Sequence, residues 1–192
     1  CPKVIIDDRK ASFIATEHLI KNGCKQILHF RSGYKPQISI DRYLGYRDAL
    51  NKYNIPFDKE KVIVCEITDE KNGFSAAKKA FELGMKIDGL LAGSDHAAIG
   101  AIQFFKNKKL SIPKDISVVG FGNWKLSKFS TPSLTTVDQS AIQMGEEIFR
   151  IFLEEKLLLS RGESPTNKTV TLSANLIVRE SSIKSSRQDN FN

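Results

Sequence analysis

The sequence predicts an α/β fold built on a parallel, doubly wound sheet, and three observations carry that expectation. Short apolar runs at residues 4–6, 26–30, 62–67, 87–92 and 116–121 alternate with segments of helical period and ordinary length. The runs are continuously apolar rather than alternating, as strands covered on both faces must be. Finally, Asp115-Ile-Ser-Val-Val-Gly-Phe-Gly-Asn-Trp124, followed by Pro132-Ser-Leu-Thr-Thr-Val-Asp-Gln139, reads as a buried strand ending in glycines, a short loop and an extended piece entering a helix. An open α/β sheet presents loops to a ligand at its strand ends in this way.

Taken in order, residues 4–6 form a short strand, and Ile14, His18, Leu19 and Asn22 then recur at helical spacing before the stop at Gly23. After the strand at 26–30, Ser39 or Asp41 can cap a helix whose Tyr43, Tyr46, Leu50 and Tyr53 share a stripe, ended by Asn54-Ile-Pro56. Phe74, Ala77 and Phe81 mark a helix closed by Gly84, and Ala98, Ile99, Ile102 and Phe105 mark the next. Beyond Gln139 the pattern changes. Ile142, Ile148, Phe149, Ile151, Phe152, Leu153 and Leu157 to Leu159 make a helix apolar over much of its circumference, which must be covered on more than one side. A polar loop at 160–168 precedes an alternating strand at 169–178, and the Ser-, Arg- and Asn-rich tail at 181–192 is expected to be disordered.

A chain of 192 residues with 41% hydrophobic composition has material for one well-buried core and a second small lobe. The formal charge of +7 is scattered, and its densest clusters, Lys78-Lys79 and Lys106-Asn-Lys-Lys109, are not interleaved with aromatics. They read as solvated helix faces rather than a nucleic-acid surface. No apolar run approaches the ~20 residues that cross a bilayer, so no membrane partner is expected. Cys1, Cys24 and Cys65 are odd in number and lack CxxC spacing, which argues against a disulfide framework and a zinc site and fits a reducing cytoplasm. Because the chain starts with Cys and moves directly into a strand, with no flexible tether, it is expected to be a piece of something longer.

Nucleophilic catalysis finds no candidate: His18, His29 and His96 lie in no nucleophile motif, and there is no GxSxG. The expectation is a protein that is not an enzyme, with no cofactor. Gly120-Phe-Gly122 follows a strand, but Lys125 stands where a dinucleotide fingerprint needs its third glycine. A polar small-molecule site fares better. Arg42 offers a planar five-donor fork suited to adjacent hydroxyls or a carboxylate, unless it is a plain surface arginine. Ser94 and Asp95 follow a strand, where Asp95 either accepts ligand hydroxyl protons or caps the next helix. Phe74 and Trp124, at strand-to-helix loops, either cover a sugar ring or form a core edge. Asn123 and Gln139 each donate and accept. The set suits a neutral polyol or sugar better than a phosphate.

Seven motifs in one order extend this picture: Pro2-x-Val-Ile-Ile-Asp7, Thr16-Glu-His-Leu-Ile-Lys-Asn-Gly23, Arg42-Tyr-Leu-Gly-Tyr46, Ser94-Asp-His-Ala-Ala-Ile-Gly100, Ile112-Pro-Lys-Asp-Ile-Ser-Val-Val-Gly-Phe121, Pro132-Ser-Leu-Thr-Thr-Val-Asp-Gln139 and Leu176-Ile-Val-Arg-Glu-Ser-Ser182. Together they resemble the effector-binding half of the lac repressor (LacI/GalR) family of bacterial transcriptional regulators, over nearly everything from Pro2 to Ser182. The resemblance implies a type I periplasmic-binding-protein-like fold. Residues 1–8 would hold the last strand of an N-terminal-lobe fragment and 9–138 the complete C-terminal lobe. The helix at 139–160 would return to the N-terminal lobe, 161–180 would be the final C-lobe strand, and 181–192 the tail. It also implies roles: Arg42 as the clamp on ligand hydroxyls, Phe74 as a stacking aromatic, Ser94 and Asp95 as the cleft pair usually written Asn-Asp, Gln139 at the lobe crossing, and Asp7 from the other lobe. Gly122 departs from the acidic contact of many members, and Asn123 and Trp124 could substitute. Implied partners are a sugar-like effector, operator DNA bound through an N-terminal helix-turn-helix that this chain lacks, and a second copy in a homodimer. A solute-binding protein of a sugar transporter is the alternative.

Overall fold

The computed structural model describes residues 1–34 and 36–184. Along them run β1 (Lys3–Ile6), α1 (Asp8–Lys21), β2 (Ile27–Ser32), α2 (Gln37–Lys52), β3 (Val62–Cys65), α3 (Glu70–Glu82), β4 (Gly89–Ala92), α4 (Asp95–Asn107), β5 (Ser117–Phe121), α5 (Lys125–Phe129), β6 (Thr135–Asp138), α6 (Ala141–Ser160), β7 (Thr169–Leu172) and β8 (Asn175–Ile177). Six strands form one sheet in the order β3-β2-β4-β5-β6-β8, parallel except for the edge pair of β6 with antiparallel β8. Every residue of β4 and β5 is buried, as continuous apolar runs under helices on both faces require. Ile27, Leu91, Val119 and Val137 meet α1 and α2 on one face, while Leu28, Phe30, Leu90 and Val118 meet α3 and α4 on the other.

The chain leaves β2 for β3 on one side and returns to β4 on the other, so the strand order reverses between β2 and β4. Ligands of open α/β sheets bind beyond the carboxyl ends of the strands at such a reversal. Close helix crossings hold that edge in shape. A Cβ at Gly45 would stand 2.0 Å from the Arg9 carbonyl oxygen, where α2 crosses α1, and one at Gly100 would stand 1.9 Å from the Glu70 carbonyl oxygen, where α4 crosses α3.

β1 and β7 form a separate parallel pair, and α6 packs against β1. Three short passages join this smaller body to the main sheet: Asp7, Gln139 with Ser140, and Ser173 with Ala174. The expected single strand at 169–178 is therefore corrected. It is two strands in two sheets, because β7 continues the β1 pair whereas β8 pairs with β6. The expected tail is corrected at its start as well. Ser181 and Ser182 are buried in a 3-10 turn, Glu180–Ser182, where Ser181 Oγ donates to the Val118 carbonyl and accepts from Thr135 N–H. Residues 185–192 lie outside the described residues.

One local expectation also changes. α2 begins at Gln37 behind an extended Pro36, so neither Ser39 nor Asp41 caps it; Asp41 instead accepts from the Gln37 side-chain amide at 2.8 Å. In α6 only Ile151 is buried, while Ile142, Phe149 and Phe152 are exposed, so the apolar circumference read from the sequence is largely uncovered. Among the described residues no helix is long and apolar enough to cross a membrane.

The crossing glycines generate a stability prediction. Gly45→Ala forces a backbone clash and should lower unfolding free energy by at least ~1–3 kcal/mol in urea titration, with the slope unchanged. Gly145→Ala, where nothing lies within 4 Å of the added methyl, should instead be neutral or stabilise by about 0.5–1 kcal/mol.

Candidate functional site

Arg42, in the second turn of α2, is largely buried at the carboxyl edge of the sheet. Its Nε donates to Asp8 Oδ1 at 2.7 Å, its Nη1 donates to the Gly93 carbonyl at 2.9 Å, and its guanidinium carbon lies 3.6 Å from the centroid of the Phe121 ring. One side chain thus ties the start of α1, the end of β4 and the end of β5 to α2. Burial raises the Asp8 pKa above its ordinary value despite the adjacent cation, and burial lowers that of Arg42 despite the adjacent carboxylate. For both partners burial is the largest influence and the opposite charge acts against it, so the pair is a poor stability device.

Beside Arg42 a cavity of about 190 Å³ opens between the ends of β2 and β4 and the start of α2, lined by His29, Arg31, Ser39, Arg42, Thr68 and Gly93 among others. It occupies the strand-order reversal. A larger, shallower groove of about 840 Å³ lies at the opposite edge, around residues 110–113, 131–133 and Arg179. Its polar groups are engaged with one another: Lys106 with the Thr131 carbonyl, Glu180 with Ser133, and Arg179 with the Leu134 carbonyl. Position and unspent hydrogen-bonding capacity favour the smaller cavity.

The other expected site residues divide. Ser94 caps α4, accepting from Ala97 N–H at 3.1 Å, and donates to the carbonyl of Thr68, a cavity residue. Asp95 takes neither role expected of it. It is fully buried, with Oδ1 accepting from Thr136 Oγ1 at 2.5 Å and Oδ2 accepting from Trp124 N–H at 2.8 Å, so it anchors the β5–α5 loop from beneath. Burial raises its pKa. The two glycines that suggested a nucleotide loop serve this arrangement. A Cβ at Gly120 would lie 2.3 Å from Asp95 Oδ1, and one at Gly122, at φ +128°, would lie 2.7 Å from the Trp124 indole.

Trp124 is exposed and meets the His96 ring edge-on at 5.6 Å; His96 Nδ1 in turn lies 2.6 Å from Glu70 Oε1. Asn123, in a left-handed conformation, accepts from Arg179 Nη2 at 2.8 Å. Gln139 lies at one of the passages between the two bodies. Asp7 caps α1 by accepting from Lys10 N–H, one residue before the Asp8 that grips Arg42. Phe74 is not at a loop: it lies within α3, edge-on to Phe104 at 5.3 Å, against the core. Sequence reasoning missed three residues, Asp8, His29 and Arg179. The Asp7-Asp8 doublet held a signal for the first, since two adjacent carboxylates at a helix start cannot both cap it.

Comparison with known proteins agrees with the fold. The family model described as a periplasmic binding protein-like domain matches residues 16–182. The HTH-type transcriptional regulator RegA of Clostridium saccharobutylicum is 34% identical over 95% of this chain and 54% of its own length. A structure titled as a putative transcriptional regulator of the LacI family from Sanguibacter keddieii superposes with a TM-score of 0.86 at 25% identity, covering 93% of this chain and 66% of that one. A sugar-binding transcriptional regulator of the LacI family from Escherichia coli, complexed with phosphate, gives a TM-score of 0.80 at 26% identity, covering 93% and 62%. The chain spans about half the length of the curated relatives it matches.

Two measurements check the site's wiring. Asp95→Ala removes the acceptor of the Trp124 N–H and of Thr136, and should cost about 2–3 kcal/mol while shifting the emission of Trp124, the chain's one tryptophan. The fully buried His29 has its pKa lowered by desolvation to about 4, below the ordinary ~6.5. Between those values the unfolded chain binds a proton that the folded chain refuses, so stability falls as pH drops from about 6.5 to about 4, by about 3 kcal/mol in all. A His29→Gln variant should show a correspondingly flatter acid limb in pH-dependent urea unfolding.

Proposed function

Because the chain belongs to the periplasmic binding protein-like domain family, in its LacI-type branch, we propose that it is the effector-sensing part of a bacterial DNA-binding transcriptional regulator. The observation that carries this reading is Arg42. Of the five N–H groups of a guanidinium, one goes to Asp8 and one to Gly93, which leaves three without an acceptor among the described residues, on a group that lines the cavity at the strand reversal. A neutral, hydroxyl-rich ligand supplies acceptors in that number without adding net charge to the site. Trp124 stands exposed at the neighbouring strand end and offers a flat face to a sugar ring. The relatives named above are regulators, one of them sugar-binding by title, so the solute-carrier alternative is not retained.

In the whole protein the effector is held between this lobe and the body that contains β1, β7 and α6, and it favours one angle between them. Two such chains in a homodimer, in the cytoplasm, convert that angle into the spacing of two DNA-reading heads. An effector moves this equilibrium only by its difference in affinity for the two states, about 5.5 kcal/mol for a near-complete switch.

The test is calorimetric titration with a panel of neutral mono- and disaccharides, followed by operator-shift assays of the complete regulator with the sugar that binds. Arg42→Ala should weaken that sugar by about 10- to 100-fold, the range of one to two charge-assisted hydrogen bonds. Arg42→Lys should recover little, because a point charge cannot reproduce the fork. Sugar binding with no change in operator affinity refutes the regulatory assignment.

A further inference from the structure

Among the described residues, the one buried side-chain nitrogen or oxygen with no hydrogen-bond partner is Nε2 of His29. The ring is held on both sides of that atom. Nδ1 lies 3.0 Å from the Leu91 carbonyl on β4, an acceptor, so Nδ1 carries the proton and Nε2 is left with a lone pair. The ring stacks on Tyr46 at 5.0 Å and 20°, and the Tyr46 hydroxyl donates to the Ile27 carbonyl, so the imidazole plane is fixed as well. The opposite tautomer would give up the Leu91 bond without finding Nε2 an acceptor. Burial keeps the ring neutral at physiological pH.

An unpaired buried acceptor costs about 1–3 kcal/mol, and a leucine or phenylalanine would fill this strand position without that cost, as Leu28 and Phe30 do beside it. The exception falls on a residue that lines the 190 Å³ cavity, one strand position before the cavity's Phe30 and Arg31. Tyr46, which stacks on it, is one helical turn beyond Arg42 on α2. Arg42, whose free N–H groups can only donate, and His29, whose Nε2 can only accept, thus line the same cavity, with Nε2 itself shielded from solvent at its closed end.

We propose that His29 is a specificity-determining residue of this cavity, its Nε2 accepting a hydrogen bond from a hydroxyl or N–H group at the innermost end of the effector. The proposal rests on the sensing role of the cavity proposed above and narrows its ligand class. A hydroxyl can accept from Arg42 and donate to His29 in the same pose. A carboxylate or a fully ionised phosphate can satisfy Arg42 but has no hydrogen to give His29, and an ether or deoxy analogue fails in the same way. A site built around a buried acceptor rejects ligands that leave it unpaired more strongly than an apolar pocket rejects a wrong size.

The experiment uses the full chain, labelled with 15N-histidine, and the probes D-ribose, D-glucose, cellobiose and inorganic sulfate. For a sugar that binds, the Nε2 resonance should move upfield as its lone pair becomes engaged, whereas saturating sulfate, which has no hydrogen to donate, should leave it in place. His29→Phe should weaken the same sugar by at least about tenfold, and His29→Gln, whose side-chain oxygen can accept, should restore part of the loss. Thermal unfolding of both variants separates lost binding from lost structure, and the resonance shift needs no variant at all. An unmoved Nε2 signal, together with His29→Phe binding within twofold of the parent while Arg42→Ala abolishes it, overturns the role of His29 and leaves the sensing role standing. Failure of every sugar to bind the parent chain overturns both.

Discussion

A guanidinium taken out of water has to be surrounded, and the way Arg42 is surrounded organises this molecule. Its partners come from the first residue of α1, the carbonyl after β4 and the ring that ends β5, so the edge of the sheet is drawn together around one cation. For both members of the ion pair burial is the largest influence on the pKa, and a buried pair of this kind adds little stability of its own. Stability is supplied elsewhere, by the apolar faces that β2, β4 and β5 bury under two helix pairs. Those pairs approach closely only because Gly45 and Gly100 carry no side chain where one backbone passes over another. The arginine is thereby held at the carboxyl edge of a body whose apolar core lies elsewhere.

Much of the fold was legible because the physics that shapes a parallel sheet is local. Continuous apolar runs, helical periods and glycine stops located every strand of the main sheet from β2 to β6 within a few residues. What failed needed long-range information. Residues 169–178 alternate along their whole length, and period two says that a segment is extended without saying which sheet it joins; only the partners, β1 and β6, separate β7 from β8. Ser181 and Ser182 looked like tail composition, yet their hydroxyls reach Val118, Thr135 and His18, contacts more than forty residues away in sequence.

The site was legible to a lesser degree for the same reason. Residue type and loop position picked out Arg42, Ser94 and Trp124, which do lie at the carboxyl edge. Whether a carboxylate turns outward or inward is decided by what lies beneath it, so Asp95, buried against Thr136 and the loop N–H, could not be told from a ligand contact. For Phe74 the core-edge alternative holds, since α3 starts at Glu70 and turns the ring toward Phe104. His29 failed because an unsatisfied atom is a property of surroundings and leaves no mark in a string of letters.

The grip of Asp8 on Arg42 has a mechanical side. Asp8 follows β1 after a single intervening residue, and β1 belongs to the smaller body with β7 and α6. Of the three passages between the bodies, this one ends one residue away from a carboxylate bonded to the cavity's arginine. A connection this short leaves little slack between the smaller body and the salt link.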